Sequence, residues 1–218
     1  MDRRRKPVKT RRRYDASRRR ERARRSHLEI LEAARERFLR DGFSSTTIHG
    51  IAEEAGVSVD TIYKTFGGKS GLLRAIYRHG LAGEGPVHAE TRSDALQTTE
   101  TDSRKLYQGL GRFSREVAPR AAPVHRLIRQ AAAVDPRMQV LLDALDAERL
   151  ERMRQVARTL DAAGHVRDDR TVDQAADILW TYTSPQLYDA LVETRGWTAA
   201  QFGSFIADAL TAALAPLR

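Results

Sequence analysis

Between Val59 and Phe66 the sequence sets an unusual set of side chains at helical spacing: Asp60, Thr61, Tyr63 and Lys64 alternate with Ile62 and Phe66. Ile62 and Phe66 share one face at i, i+4, which turns Val59, Asp60, Thr61, Tyr63 and Lys64 outward. Those outward groups are a hydroxyl, a phenol, an ammonium and a carboxylate on a short rigid rod. They suit hydrogen bonding to base edges and phosphates rather than bond-breaking chemistry. Thr61 adds a methyl that can meet a thymine methyl. Asp60 admits two roles: it can accept from cytosine N4, or it can support the positive N-terminal end of its own helix.

A rod of this kind reads DNA only if something holds it at a fixed angle. A helix from Thr46 or Thr47, carrying Ile48, Ile51, Ala52 and Ala55 on one face, ends at Gly56, and Gly56-Val57-Ser58 leads into the next helix. Small Ala52 and Ala55 allow a close crossing, Gly56 suits the turn, and Ser58 is a natural N-cap. This is the pattern of a helix-turn-helix, with the Val59–Phe66 helix entering the major groove. Gly67-Gly68 ends that helix, and a fourth, from Lys69 to His79, carries Leu72, Leu73, Ile76 and Tyr77. Ahead of them, Ser26-His27-Leu28-Glu29 is a capping box that predicts a helix beginning or pinned there. That helix runs through Leu28, Leu31, Ala34, Phe38 and Leu39 to Asp41-Gly42, and residues 15–25 are good enough helix formers to extend it backwards.

Other chemistries find little support. His27, His49, His79, His88, His125 and His165 are scattered, with no short metal-binding spacing, phosphate loop or dinucleotide fingerprint. Asp168-Asp169 and Asp143 with Asp146 lack a second polar cluster and read as surface charge. The chain has no cysteine, so thiolate nucleophiles, thiolate metal sites and disulfides are excluded. We therefore expect no catalytic residue, no metal and no cofactor. No apolar run is long enough to span a membrane and no hydrophobic region follows the basic N-terminus, so a cytoplasmic protein without a membrane partner is expected.

The 218 residues carry a formal net charge of +9, with 38 Lys and Arg against 29 Asp and Glu. Residues 1–25 hold 14 of those bases and 3 acids, a net +11, which leaves the remaining residues at −2. The basicity belongs to the tail, which self-repulsion predicts to be a disordered arm with phosphate as its counter-charge. Beyond residue 83 the polar, turn-rich stretch 83–102 predicts a loop or linker. Helices are expected at 103–118, 122–133, 136–163, 171–194 and 198–215, separated at Pro119, Pro123, Asp135-Pro136, Gly164 and Gly196. Nothing alternates like a strand. The expected fold is all-α: an N-terminal three-helix helix-turn-helix domain over residues 26–82 and a helical bundle over 83–218.

The stretch from Ser26 to His79 resembles the DNA-binding domain of tetracycline-repressor (TetR) family regulators. The resembling residues are Phe38, Gly42-Phe43, Thr46-Thr47-Ile48, Ile51-Ala52, Ala55-Gly56-Val57-Ser58, Thr61-Ile62-Tyr63, Phe66, Lys69 and Leu72-Leu73. By position the resemblance implies that Thr47, Ser58, Thr61, Tyr63 and Lys69 touch phosphate or bases and that Lys64 lies on the groove face. Lys69 opens a helix, where dipole and ammonium both favour a phosphate. Val59-Asp60 departs from the family, where a basic residue or Pro and then Gly or Ala are common, and so does the long Arg-rich tail.

The resemblance further implies a homodimer, formed by the last two helices of each subunit. The apolar stripes there supply Leu187, Leu191, Phe202, Phe205, Ile206, Ala209, Leu210 and Ala213 as interface candidates. It also implies a small-molecule effector pocket, for which Tyr107, Phe113, His125, Arg126, Met138, Leu141, Trp180 and Tyr182 are candidates. The expected function is a ligand-responsive regulator, by family default a repressor, binding a palindromic operator in double-stranded DNA. The competing reading is an architectural nucleic-acid binder driven by the Arg-rich tail, whose binding would be steeply salt-dependent and nearly blind to sequence.

Overall fold

The computed structural model describes the backbone of residues 10–217, with side chains at residue 18 and from residue 20 onward. The elements in chain order are α1 (Thr10–Ser45), α2 (Ile48–Glu54), α3 (Val59–Phe66), α4 (Lys69–Leu81), α5 (Ala89–Thr99) and α6 (Ser103–Ala132). They continue with α7 (Pro136–Ala162), α8 (Val172–Tyr182), α9 (Pro185–Tyr188) and α10 (Ala199–Leu214). A π-helical turn, Asp189–Thr194, extends α9. The fold is all-α, with no strand among the described residues.

The N-terminal elements follow their local signals. Thr47 caps α2 by accepting from the Gly50 amide, and Ser58 caps α3 by accepting from the Thr61 amide. Gly67 ends α3 with a left-handed φ of 75°, and its amide closes on the Tyr63 carbonyl. The chain breaks at Gly42, where φ 79° and ψ 170° leave the helical region. The Ser26–Glu29 box, in contrast, starts nothing: it lies inside α1, because the residues before it are themselves helix formers. Of the expected disordered arm, residues 1–9 lie outside the described residues, whereas Thr10–Arg25 form the first turns of α1.

Three further expectations are corrected. The 83–102 stretch holds a helix, α5, whose weak amphipathic pattern sits between glycines on one side and Glu100 on the other. Residues 103–132 form one helix that runs through Pro119 and Pro123. Each proline removes one helical hydrogen bond, but the helix is held on both sides of them by buried residues from Leu106 to Ala131. The single helix expected over 171–194 is instead interrupted at Thr183-Ser184, where Ser184 caps a new start before Pro185.

The long helices α6 and α7 carry two hydrophobic cores. One packs Ile30, Leu31, Ala34, Phe38, Ile51, Ile62, Leu72, Leu73 and Ile76 against Val124, Ile128, Met138 and Leu141. The other gathers Leu106, Tyr107, Leu110, Val156, Leu160, Leu179, Phe202, Ile206 and Leu210. The helix-turn-helix core is therefore continuous with the last turns of α6 and the first turns of α7. In the second core α6 and α10 cross at Gly111 and Gly203: a Cβ on Gly203 would stand 2.9 Å from the Gly111 carbonyl oxygen. Only the missing side chains allow that approach.

Candidate nucleic-acid interface and effector cavity

Ile62 is fully buried, and Val57, Val59 and Phe66 pack against the same core, so α3 is fixed along one side. At the edge of that face Tyr63 remains 53% exposed, a large aromatic that the core does not use. Asp60 and Lys64, both highly exposed, form an ion pair at 2.7 Å along the helix. Asp60 also occupies the first turn of α3, where a carboxylate complements the helix dipole. The Ser58 and Thr61 hydroxyl oxygens lie 2.8 Å apart, so the Ser58 cap also restrains the Thr61 side chain.

Thr47, Val59, Tyr63 and Lys69 line one concavity of about 610 Å³, together with His49, Arg137 and others. Lys69 Nζ donates to the Phe43 carbonyl at 2.7 Å and lies 4.5 Å from the centre of the Phe43 ring. Burial holds its pKa below the ordinary lysine value, against the opposing pull of Asp135. Ser58, Asp60, Thr61 and Lys64 stand beside this concavity on the N-terminal and outward parts of α3. The structure adds Arg137, from the first turn of α7, which sequence reasoning missed: it stands right after Asp135-Pro136, which read only as a helix start. Arg137 is ion-paired to Asp135 at 3.2 Å, and this pairing holds Asp135 below the ordinary carboxylate range.

A second cavity, of about 420 Å³, opens among α4, α5, α6, α7 and α8. Tyr77, Leu110, Phe113, Arg149, Met153 and Leu179 are among its lining residues. Of the eight pocket candidates only Phe113 lines it. Tyr107 is buried elsewhere, its hydroxyl donating to the His165 carbonyl at 2.8 Å. Met138 and Leu141 belong to the helix-turn-helix core. His125 faces Asp146 at 3.3 Å, and Arg126 pairs with Asp189 at 2.6 Å. Trp180 lies under Arg149 and Tyr182 packs edge-on to Phe205. The signal that marks the actual wall is Arg149 itself, a cation within the apolar helical stripe Leu145, Met153 and Val156.

The α10 stripe also divides. Phe202, Ile206 and Leu210 are buried within the chain, because they face α6, and so are withdrawn as candidates for contact with a second subunit. Phe205, Ala209 and Ala213, with Leu187 and Leu191, are only partly buried.

Residues 30–76 match the family described as bacterial regulatory proteins, tetR family. This stretch is a DNA-binding domain of the tetR type. The chain is 36% identical over 81 residues to the uncharacterized HTH-type transcriptional regulator YvkB of Bacillus subtilis, a match covering 37% of each chain. Two solved structures share the fold of most of the chain. The fatty acid degradation regulator FadR of Bacillus halodurans aligns with TM-score 0.67 at 15% identity, covering 84% of this chain and 97% of that one. The SmeT–triclosan complex aligns with TM-score 0.66 at 23% identity, covering 87% and 91%. The N-terminal part of the chain is thus a tetR-type helix-turn-helix DNA-binding domain, and the match to the curated relative spans about a third of that protein's length. No helix among the described residues is long and apolar enough to cross a membrane.

Proposed function

We propose that the chain is a TetR-family repressor that binds a palindromic operator as a homodimer and releases it when a small molecule fills the α4–α8 cavity. The observation that carries the DNA reading is Tyr63: a phenol held more than half exposed on a helix anchored by the neighbouring, fully buried Ile62. With Thr61 and Lys64 it forms a polar face of the width that a major groove admits. Thr47 and Lys69, on the concave side, are placed to hold phosphates.

One such helix reads few bases, and pairing two copies doubles the contacts across a palindrome. The outward half of α10, with Phe205 packed against Tyr182 and Trp197, is the apolar strip that a second copy would cover. Coupling between cavity and DNA runs through α4, whose first residue, Lys69, lines the DNA-side concavity and whose Tyr77 lines the effector cavity. The two stand eight residues apart, about 12 Å along the helix. A molecule that fills the cavity better in one setting of α4 than in another shifts the population between them.

The test is Tyr63→Ala in the full chain, measured on the duplex the wild type selects. Affinity should fall about tenfold or more, with far-UV circular dichroism and subunit assembly unchanged. Unaltered affinity would remove α3 as the reading element and favour binding by the Arg-rich N-terminus.

A further inference from the structure

Three arginines line the effector cavity, and two of them are neutralised. Arg78 is paired with Glu148 at 3.1 Å, and Arg152 with Asp94 at 2.5 Å and Glu90 at 3.4 Å. Arg149 differs. Its Nη1 donates to the Trp180 carbonyl at 2.6 Å, and its guanidinium lies 4.3 Å from the centre of the Trp180 ring. Its Nε and Nη2 are sealed from solvent and have no hydrogen-bond partner among the described residues. Trp180 Nε1, on the same stack, is likewise buried without an acceptor. Asp146, whose charge acts on Arg149, is engaged by His125.

Such an arrangement is costly as it stands. Arginine does not lose its proton in proteins, and a buried cation whose donors lack acceptors carries a desolvation penalty that only an acceptor can offset. The stacked indole relieves part of it by cation–π attraction. Nε and Nη2 are, moreover, the two nitrogens of one guanidinium edge, the edge that grips both oxygens of a carboxylate. Around it the wall is apolar: Leu110, Phe113, Met153, Val156 and Leu179. At about 30 Å³ per heavy atom, the 420 Å³ cavity admits a ligand of roughly fourteen heavy atoms.

We propose that the cavity binds an amphipathic carboxylate, its anionic head drawing the Nε–Nη2 edge of Arg149 out of its sealed, unsatisfied setting and its apolar body lying along Leu110, Phe113, Met153 and Leu179. This names the effector class and rests on the effector-cavity reading above. Arg149 is the specificity residue: a neutral molecule of the same shape fills the apolar wall but leaves the edge unsatisfied. Loss of the edge therefore removes the preference for the anion without closing the cavity.

The test compares decanoate with 1-decanol, of equal chain length, by isothermal titration of the full chain near neutral pH. Decanoate should bind about tenfold or more tightly than the alcohol. In Arg149→Gln decanoate should fall to the level of the alcohol, while alcohol binding stays within about twofold of the wild type. Equal binding of the two probes by the wild type, or an anion preference that survives in Arg149→Gln, overturns the assignment while leaving the cavity as a binding site. If neither probe binds, the carboxylate assignment falls. If the wild type then also keeps its operator in the presence of a broad panel of neutral and cationic apolar molecules, the effector reading falls with it. The wild-type comparison decides even if Arg149→Gln fails to fold.

Discussion

Replacing Gly111 with Ala inserts a methyl where α6 and α10 touch. The new Cβ would stand 2.8 Å from the Ala207 Cβ and closer still to the Gly203 carbonyl oxygen. Carbon atoms in contact sit about 3.5 Å apart at the least, so the two helices must separate by roughly 0.7 Å or bend. The obstacle is main chain and Cβ, which no rotamer change can clear. Overpacking of this kind costs about 1–3 kcal/mol, and a contact against backbone belongs at the upper end. Alanine in place of glycine returns about 1 kcal/mol of helix propensity. The net loss is about 2 kcal/mol, which lowers the Tm of a chain of this length by about 4–8 °C. Urea and thermal unfolding, followed by circular dichroism at one fixed protein concentration, measure it, since assembly also moves apparent stability. A Gly111→Ala variant as stable as the wild type would mean that α6 and α10 do not meet at Gly111 and Gly203. The double variant Gly111→Ala/Gly203→Ala should lose less than the sum of the two, because a single displacement relieves both contacts.

Two predictions concern charge. Burial holds the His125 imidazole below its ordinary value of 6.5, against Asp146, which raises it, and with Arg149 and Arg129, which lower it. The unfolded chain therefore binds a proton that the native state refuses, and stability falls as pH drops through about 6.5 until the depressed native value is passed. In His125→Gln that part of the decline should vanish from unfolding curves collected across the range; an identical pH profile would show that His125 titrates normally. For Asp60→Asn, freeing the exposed Lys64 ammonium should steepen the salt dependence of DNA binding by up to about 0.9 in the logarithmic slope, read by fluorescence anisotropy. An unchanged slope would mean that Lys64 makes no phosphate contact.

The helix-turn-helix was legible because its ends are written locally. Thr47, Ser58 and Gly67 cap and stop helices by chemistry that needs no tertiary partner, and Ile62 announces its own burial by its spacing. What escaped depends on the partner. Pro119 and Pro123 read as breaks, yet the packing of α6 outweighs the two lost hydrogen bonds. Phe202, Ile206 and Leu210 read as one outward stripe with Phe205 and Ala209, because periodicity gives a face and not what covers it. The cavity escaped for the converse reason. Aromatic and apolar residues at helical spacing read as its wall, whereas Tyr107, Met138 and Leu141 fill cores and a mid-stripe arginine marks the space. The DNA-side concavity borrows Arg137 from α7, far along the chain from α3.

Selection of bound duplexes from a randomised DNA library, at near-physiological salt, tests the central claim most directly. Paired outward faces of α3 predict an enriched palindrome with half-sites about one helical turn apart. Recovery of only unstructured or AT-biased sequence would contradict it, and would assign binding to the Arg-rich N-terminus instead.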